Sequence, residues 1–566
     1  MARRSGAAGG RAWAQAPHAR TRKIADNRRI RSLDTDSGRA ASTFALFALL
    51  AVIHTWPLAS APSQLSRHDN ADALLNQWIL SWDAHQAATD PLHLFDANIF
   101  YPETRTLAYS EYLLVPAAIG APILWLGGSP TLEYNLLILI GLTLTGWTGS
   151  ILVHRWTGDR AAGIIGGVII AFNAHTLTRL PQLQALHVEF LPLALLAFDE
   201  IITEDRWSRS VAWLALVMAL TGVTSYYSLV IAIVALAAAW MVRVDAWRGG
   251  RAAGAVTRVA LAAALSLVVL GPALIPYARI GQVRSLEEIA LYSASARDYL
   301  ASPARVHFGT WSARFFGGTT ALFPGVTALI FSAAALVSGL AFRNRRARMA
   351  LALGLAGIAL SFGPALPGHA LLYQALLPLQ GIRNVARFGY LATVAAGILA
   401  GFGVAQLRAR WPGARWMPAA IAVVFCAANL DAFSAPIEYV RPEAVDAIHA
   451  RLRGSNAIVA EFPFYPPDRV FRHAPYLLHS VAHWRSMLNG YSGLTPDSFV
   501  RHARALARFP DAQSIDTLRA LGVTHVFVHD RALRDWTDNE TADAVRRAPG
   551  LHLIVEDADV GLYEVR

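Results

Sequence analysis

One cysteine, one lysine and few charges of any kind set the limits on this 566-residue sequence. The cysteine, Cys426, lies within an apolar run, so an intrachain disulfide is excluded, and a Cys-x-x-Cys or Cys–His metal site with it. The lysine, Lys23, leaves arginine to carry nearly all the positive charge, a bias of base composition rather than of mechanism. Charged residues make up 16% of the chain against 54% hydrophobic. That balance excludes an ordinary soluble enzyme and describes an integral membrane protein carrying some soluble mass. A net charge of +11 would point to nucleic acid in a soluble chain. Here the excess sits in residues 1–40 and in short loops between apolar spans, as in cytoplasmic anchoring segments, so nucleic-acid binding is rejected. No internal repeat is evident, which disfavours a symmetric transporter. The C-terminal stretch holds no Gly-x-Gly-x-x-Gly, Walker A or His-Glu-x-x-His sequence.

What the chain does have is a succession of long apolar runs. Residues 1–40, rich in Arg, Gly, Ala and Ser, read as a disordered basic cytoplasmic tail. Ser42 to Ala59 reads as a first transmembrane helix and a retained signal anchor. Further spans start near Leu132, Ala161, Val188, Val211, Leu229, Val256, Ala321, Met349, Phe388 and Trp416. With the first that makes about eleven, each near the roughly 17–25 residues of a tilted bilayer span. The stretch Tyr112–Leu126 is shorter and carries Pro116 and Pro122. If it does not cross, the loops His154–Arg160, Thr203–Arg209, Arg243–Arg258, Arg343–Arg348 and Arg408–Arg415 all face the cytoplasm; if it crosses, all five arginine-bearing loops face outward. The positive-inside rule selects the first arrangement. Tyr112–Leu126 is then re-entrant or interfacial, and the chain after Pro436 is outside.

The predicted fold class is therefore a polytopic α-helical membrane protein with a C-terminal extracytoplasmic α/β domain. Residues 41–435 form the transmembrane domain, with a first outer loop at 60–130, and residues 436–566 form the soluble domain. In the latter, β-like runs at Ala457–Phe462, Val523–His529 and His552–Glu556 alternate with helical patterning around Pro442–Leu452 and Ser514–Leu521.

Ionisable side chains at a membrane face are costly unless they pair, hydrate or do chemistry. The segment Arg67-His68-Asp69-Asn70-Ala71-Asp72 stands there, just after the first span. Asp69 and Asp72 are spaced i, i+3 and share one helix face. A helix starting near Asn70 would leave Asp69 at its N-cap, the purely structural role open to one of the pair. A catalytic carboxylate here would act as general base toward a hydroxyl acceptor, and Asp69, nearer the span, is the first choice. Two carboxylates are a weak signature for a divalent metal, so none is assigned and the cofactor is left open. Arg383 and Arg387, i, i+4 at the outer mouth of the tenth span, oppose the positive-inside trend. They suit a bidentate grip on a lipid phosphate better than snorkelling to headgroups.

Weaker candidates lie in the turn between the third and fourth spans: His175, Arg179, Gln182, Gln184, His187 and Glu189, with His187 and Glu189 ahead. Glu103, Arg105 and Glu111 of the first outer loop stand beside them. In the soluble domain, the aromatics of Glu461–Tyr465 and Asn489–Gly493 read as core rather than as a carbohydrate platform. His473, His479, His483, His525 and His529 lack the close spacing, completed by an acid, that marks a metal site, and none is assigned.

His68-Asp69-Asn70-Ala71-Asp72, Trp78-Ile79-Leu80-Ser81-Trp82-Asp83 and Phe100-Tyr101-Pro102-Glu103, set in the apolar architecture of residues 42–435, resemble the GT-C type of polytopic membrane glycosyltransferase. The resemblance implies a polyprenyl-phosphate-linked sugar as donor and membrane lipid as partner. It implies transfer of a hexosyl or pentosyl group to a hydroxyl on the outer face of the cytoplasmic (inner) membrane, with inversion at the anomeric carbon. It also implies membrane-parallel helices in the first outer loop and one essential carboxylate there, matching Asp69 or Asp72. The alternatives are a non-catalytic lipid or polysaccharide transporter or flippase, and a membrane assembly protein acting through its C-terminal domain. A transport path needs polar residues through mid-membrane, whereas the polar residues of this chain gather at the outer face.

Overall fold

The computed structural model describes residues 38–566 apart from 204–207, 248–250, 282, 318–319, 443–444, 446 and 558. The basic tail expected over residues 1–40 therefore lies almost wholly outside the described residues, as do parts of the Thr203–Arg209 and Arg243–Arg258 loops and of the Pro442–Leu452 segment. The chain divides into two units, Met1–Leu46 and Phe47–Arg566. In the first, Ser42 and Thr43 turn their hydroxyls back onto the Arg39 carbonyl at 2.9 Å, as expected within a helix.

The second unit is a helical bundle followed by an α/β domain. Helix starts and stops follow local chemistry. Ser129 caps helix Pro130–Thr157 by accepting from the Leu132 amide at 3.1 Å, Pro130 occupies a position where no N–H is needed, and Gly158 ends the helix at φ +74°. Asp159 caps Arg160–Ala171, Ser225 caps Tyr226–Met241 and Asn344 caps Arg345–Ser361. Four helices are long and apolar enough to cross a membrane: Pro130–Thr157, Arg160–Thr178, Ala252–Ile280 and Val385–Arg410. Shorter apolar helices, among them Gly38–His54, Arg209–Thr224, Tyr226–Met241, Val326–Val337 and Met417–Leu430, fall at other predicted spans. Leu195, Phe198, Val217, Leu353 and Ile398, drawn from four helices, belong to one apolar core.

The two ends of the bundle differ. At one, Asp199 accepts from Arg243 at 2.6 Å and from Arg346 at 2.7 Å, while Asp159 pairs with Arg408. At the other, helix Ala71–Thr89 and the 12-residue helix Leu114–Trp125 pack together. The chain just before the shorter helix is tied to Gly222, whose carbonyl accepts from the Tyr112 hydroxyl at 2.5 Å. Its far end is tied to Ala84, whose carbonyl accepts from the Trp125 indole at 3.1 Å.

In the α/β domain, β1 (Ile458–Phe462), β2 (Ser486–Met487), β3 (His525–His529), β4 (Leu551–Asp557) and β5 (Val560–Val565) form one sheet in the order β2-β1-β3-β5-β4. The first three are parallel; β5 runs antiparallel to β3 and β4. Edge strand β2 does not face solvent alone. Met487 donates to Asn98 and accepts from Tyr101, both at 2.9 Å, and Asn489 accepts from Phe100 at 3.0 Å, so residues 98–101 continue the sheet edge. His85 stacks on Trp484 with centroids 4.4 Å apart.

Candidate active site

The two aspartates of the acidic segment are placed differently. Asn70, not Asp69, is the N-cap of helix Ala71–Thr89: its side-chain oxygen accepts from the Asp72 amide at 2.9 Å. Asp69 is left on the surface, 44% exposed, held by both nitrogens of an Arg67 fork at 2.9 and 3.0 Å. Asp72, in the first turn of the helix, is half-buried and turned inward. One oxygen accepts from Gln182 Nε2 and the other from the Tyr491 hydroxyl, both at 2.7 Å. Burial and the Asp72 charge push the Tyr491 phenol well above its usual value, so it stays a hydrogen-bond donor.

Arg179 and Arg387 meet beside this carboxylate. Arg179 is 4% exposed and within electrostatic reach of both Arg387 and Asp72; burial and the neighbouring Arg387 push it down to about 10. Arg387 lies 4.6 Å over the Tyr227 ring. The Nε atoms of both arginines are buried without a hydrogen-bond partner, as are both ring nitrogens of His175 and the side-chain oxygens of Gln182 and Gln184. Buried polar atoms are normally paired; here the two guanidinium Nε atoms are unpaired donors, whereas the two glutamine oxygens are unpaired acceptors. A small cleft opens among His175, Gln184, Tyr227, Arg387 and Tyr390. A second adjoins it through Val188, Ser228, Ile231 and Tyr390, and is lined further by Phe190 and Leu191.

Arg383 and Arg387 do not present a matched pair. Arg387 lies inside a 3₁₀ turn over Val385–Gly389 and Arg383 before it; Arg383 sits 4.9 Å over Tyr292 and 4.0 Å from Glu288. The Tyr227 hydroxyl accepts from the Arg383 and Asn384 amides at 3.0 and 3.1 Å. Arg383 is still within electrostatic reach of Tyr491.

No protein-family model and no curated protein sequence matches the chain. Solved structures do. The mycobacterial arabinofuranosyltransferase AftD superposes with a TM-score of 0.61 at 18% identity, over 93% of this chain and 40% of AftD. The Archaeoglobus fulgidus oligosaccharyltransferase gives 0.53 at 14% identity, over 91% and 73%. ArnT from Cupriavidus metallidurans, bound to undecaprenyl phosphate, gives 0.50 at 13% identity, over 93% and 97%. The chain has the GT-C fold.

On this GT-C frame the remaining predicted residues fall into separate places. Glu111 is buried and caps helix Tyr226–Met241, accepting from the Tyr226 amide at 2.8 Å and the Tyr227 amide at 3.4 Å. Burial raises its carboxyl, against Arg387 and those amides. His187 and Glu189 are a buried pair at 3.2 Å, with His187 also against the Leu137 carbonyl at 3.0 Å. His187 lines the second cleft. Glu103 lies by Tyr109 and His502, and Arg105 donates its amide to Asp96 at 2.9 Å. No described hydrogen bond joins either to Asp72.

Two features escaped the sequence. Tyr491 was legible only as a core aromatic, and Tyr227 carried no signal beyond following the cap residue Ser225. In the soluble domain, His479 and His529 converge with His449 on Glu461, although their spacing along the chain gives no hint of it. His473, His483 and His525 stay outside that set.

Proposed function

We propose that this GT-C protein is an inverting glycosyltransferase that moves a sugar from a polyprenyl-phosphate donor to a hydroxyl acceptor on the outer face of the cytoplasmic membrane. The observation that carries the proposal is the inward Asp72 carboxylate beside the unpaired donors of Arg179 and Arg387. The arginines would receive the donor phosphate, and the adjoining apolar cleft would take the start of its lipid chain. Undecaprenyl phosphate in ArnT supports a lipid of this class. Asp72 would take the proton of the acceptor hydroxyl as it attacks the anomeric carbon, and the phosphate would leave stabilised by the two guanidinium groups. Gln182 and Tyr491 hold the carboxylate in place. Asp69, satisfied by Arg67 at the surface, serves as the local structural partner.

The test uses purified protein and a panel of polyprenyl-phosphate-linked pentoses and hexoses, following release of the polyprenyl phosphate. Asp72→Asn keeps size and shape but cannot accept the proton, so turnover should fall by about 10²–10⁴-fold. Asp69→Asn should stay near the parent. Parent-like turnover by Asp72→Asn would remove the base assignment, and failure of the parent to consume any donor in the panel would remove the transferase reading.

A further inference from the structure

We propose that His449, Glu461, His479 and His529 form a structural zinc site in the C-terminal domain. This site is separate from the proposed transfer reaction and does not depend on it. Four elements bring the residues together. The 3₁₀ turn Ala447–Leu452 supplies His449, β1 supplies Glu461, helix Ala474–Ser480 supplies His479, and the last residue of β3 supplies His529. Strands β1 and β3 are parallel neighbours, with Glu461 opposite Phe527 and Phe462 opposite Val528. Glu461 and His529 therefore both stand toward the carboxyl ends of adjacent parallel strands, the edge where α/β sheets gather their ligands.

The geometry is that of a ligand set. Glu461 Oε2 lies 2.7 Å from His529 Nε2, 3.1 Å from His479 Nδ1 and 3.9 Å from His449 Nε2. One donor atom from each of the four falls within 4.8 Å of all the others. A tetrahedral zinc with bonds of about 2.0–2.1 Å needs its ligand atoms about 3.3–3.4 Å apart, so the four atoms bracket that spacing and reach it through small side-chain shifts. The imidazoles fan around the acid: His449 to His479 is 4.4 Å and His479 to His529 is 5.2 Å between ring centres.

Burial and charge argue the same way. Glu461 and His449 are fully buried, and His479 and His529 are each 8% exposed. A carboxylate removed from water is costly unless a cation compensates it. Among the described residues its ion-pair partners are histidines, with no arginine beside it. Its second oxygen, Oε1, is buried with no hydrogen-bond partner. A divalent cation would supply the missing charge while leaving the three imidazoles neutral. Histidine richness alone does not account for the cluster. His473 is engaged by the Asn489 side chain and the Tyr465 backbone, and His483 accepts from the Arg485 amide. Three imidazoles with one carboxylate, closed and without sulfur, suit zinc, and a closed set of four is structural rather than catalytic.

The experiment is metal analysis of the full-length protein purified in detergent without chelator. The parent should carry about one equivalent of zinc. The double variant Glu461→Gln, His529→Ala should lose it, while His525→Ala, on the same strand but outside the set, should retain it. Two measurements on the parent alone guard against a variant that does not fold. Replacement of zinc by cobalt should give the visible d–d absorption of a four-coordinate ion, and chelation should lower the thermal midpoint of the C-terminal domain. A parent that takes up no zinc even after incubation with it, or a double variant that keeps a full equivalent, overturns the proposal.

Discussion

A guanidinium group buried beside a second one is unfavourable until an anion lies between them, and Arg179 and Arg387 stand in that relation. Removing either should weaken binding of undecaprenyl phosphate by about 1.5–3 kcal/mol, the range for a hydrogen bond to a charged group, or roughly 10–150-fold. Arg343→Ala, at the far end of the bundle, should bind like the parent. Equal binding by all three variants in a detergent titration would remove the phosphate site. Arg387 was legible in the sequence because an outward arginine defies the charge trend. Arg179 was less so, since its significance lies in Arg387 and Asp72, which only the fold brings near. The same holds within the acidic segment. Spacing of i, i+3 treats Asp69 and Asp72 alike, and what separates them is Tyr491, 419 positions away.

Among the elements, the tightest packing is bought with glycine. A Cβ on Gly397 would stand 2.7 Å from Ile170 Cγ1 and 3.0 Å from the Gly166 carbonyl, and one on Gly166 would meet the Gly397 carbonyl at 3.0 Å. Helices Arg160–Ala171 and Tyr390–Arg410 thus touch backbone to backbone, as small residues permit between membrane helices. Gly397→Leu should cost about 1–3 kcal/mol of overpacking and lower the thermal midpoint in detergent. Gly271→Leu is the matched control, because nothing lies within 4 Å of a Cβ there. Equal midpoints for the two variants would contradict the close-packing account. Most helices could be read from apolar length and caps, since residues such as Ser129 and Asp159 mark their starts by local chemistry alone. The sheet was harder. β1, β3 and β4 carry apolar runs of strand length, but β2 is only Ser486–Met487, too short for any alternation. It exists because β1 on one side and residues 98–101 on the other supply its partners.

For the molecule as a whole, the arrangement of charge decides which end of the bundle meets which side of the membrane. The Asp199–Arg243–Arg346 and Asp159–Arg408 pairs draw loops from across the sequence to one end. Asp72, Arg179, Arg387 and the docked α/β domain lie at the other, where Tyr491 joins Asp72 and residues 98–101 extend the sheet edge. Helix Leu114–Trp125 joins this second end through its bond to Ala84 and that of the preceding Tyr112 to Gly222. At 12 residues it extends about 18 Å, short of the ~30 Å hydrocarbon core. If it does not cross, the arginine-bearing end is cytoplasmic and the site faces outward. Reporter fusions after Arg160, Arg209 and Arg345 should then all report the cytoplasm, and a fusion after Pro436 the exterior. These four positions fix the result, because a crossing by Leu114–Trp125 would exchange the sides of all four together. A cytoplasmic report at Pro436 would place the α/β domain and Tyr491 on the wrong side for a surface reaction, and the proposed transfer site would fall with the topology.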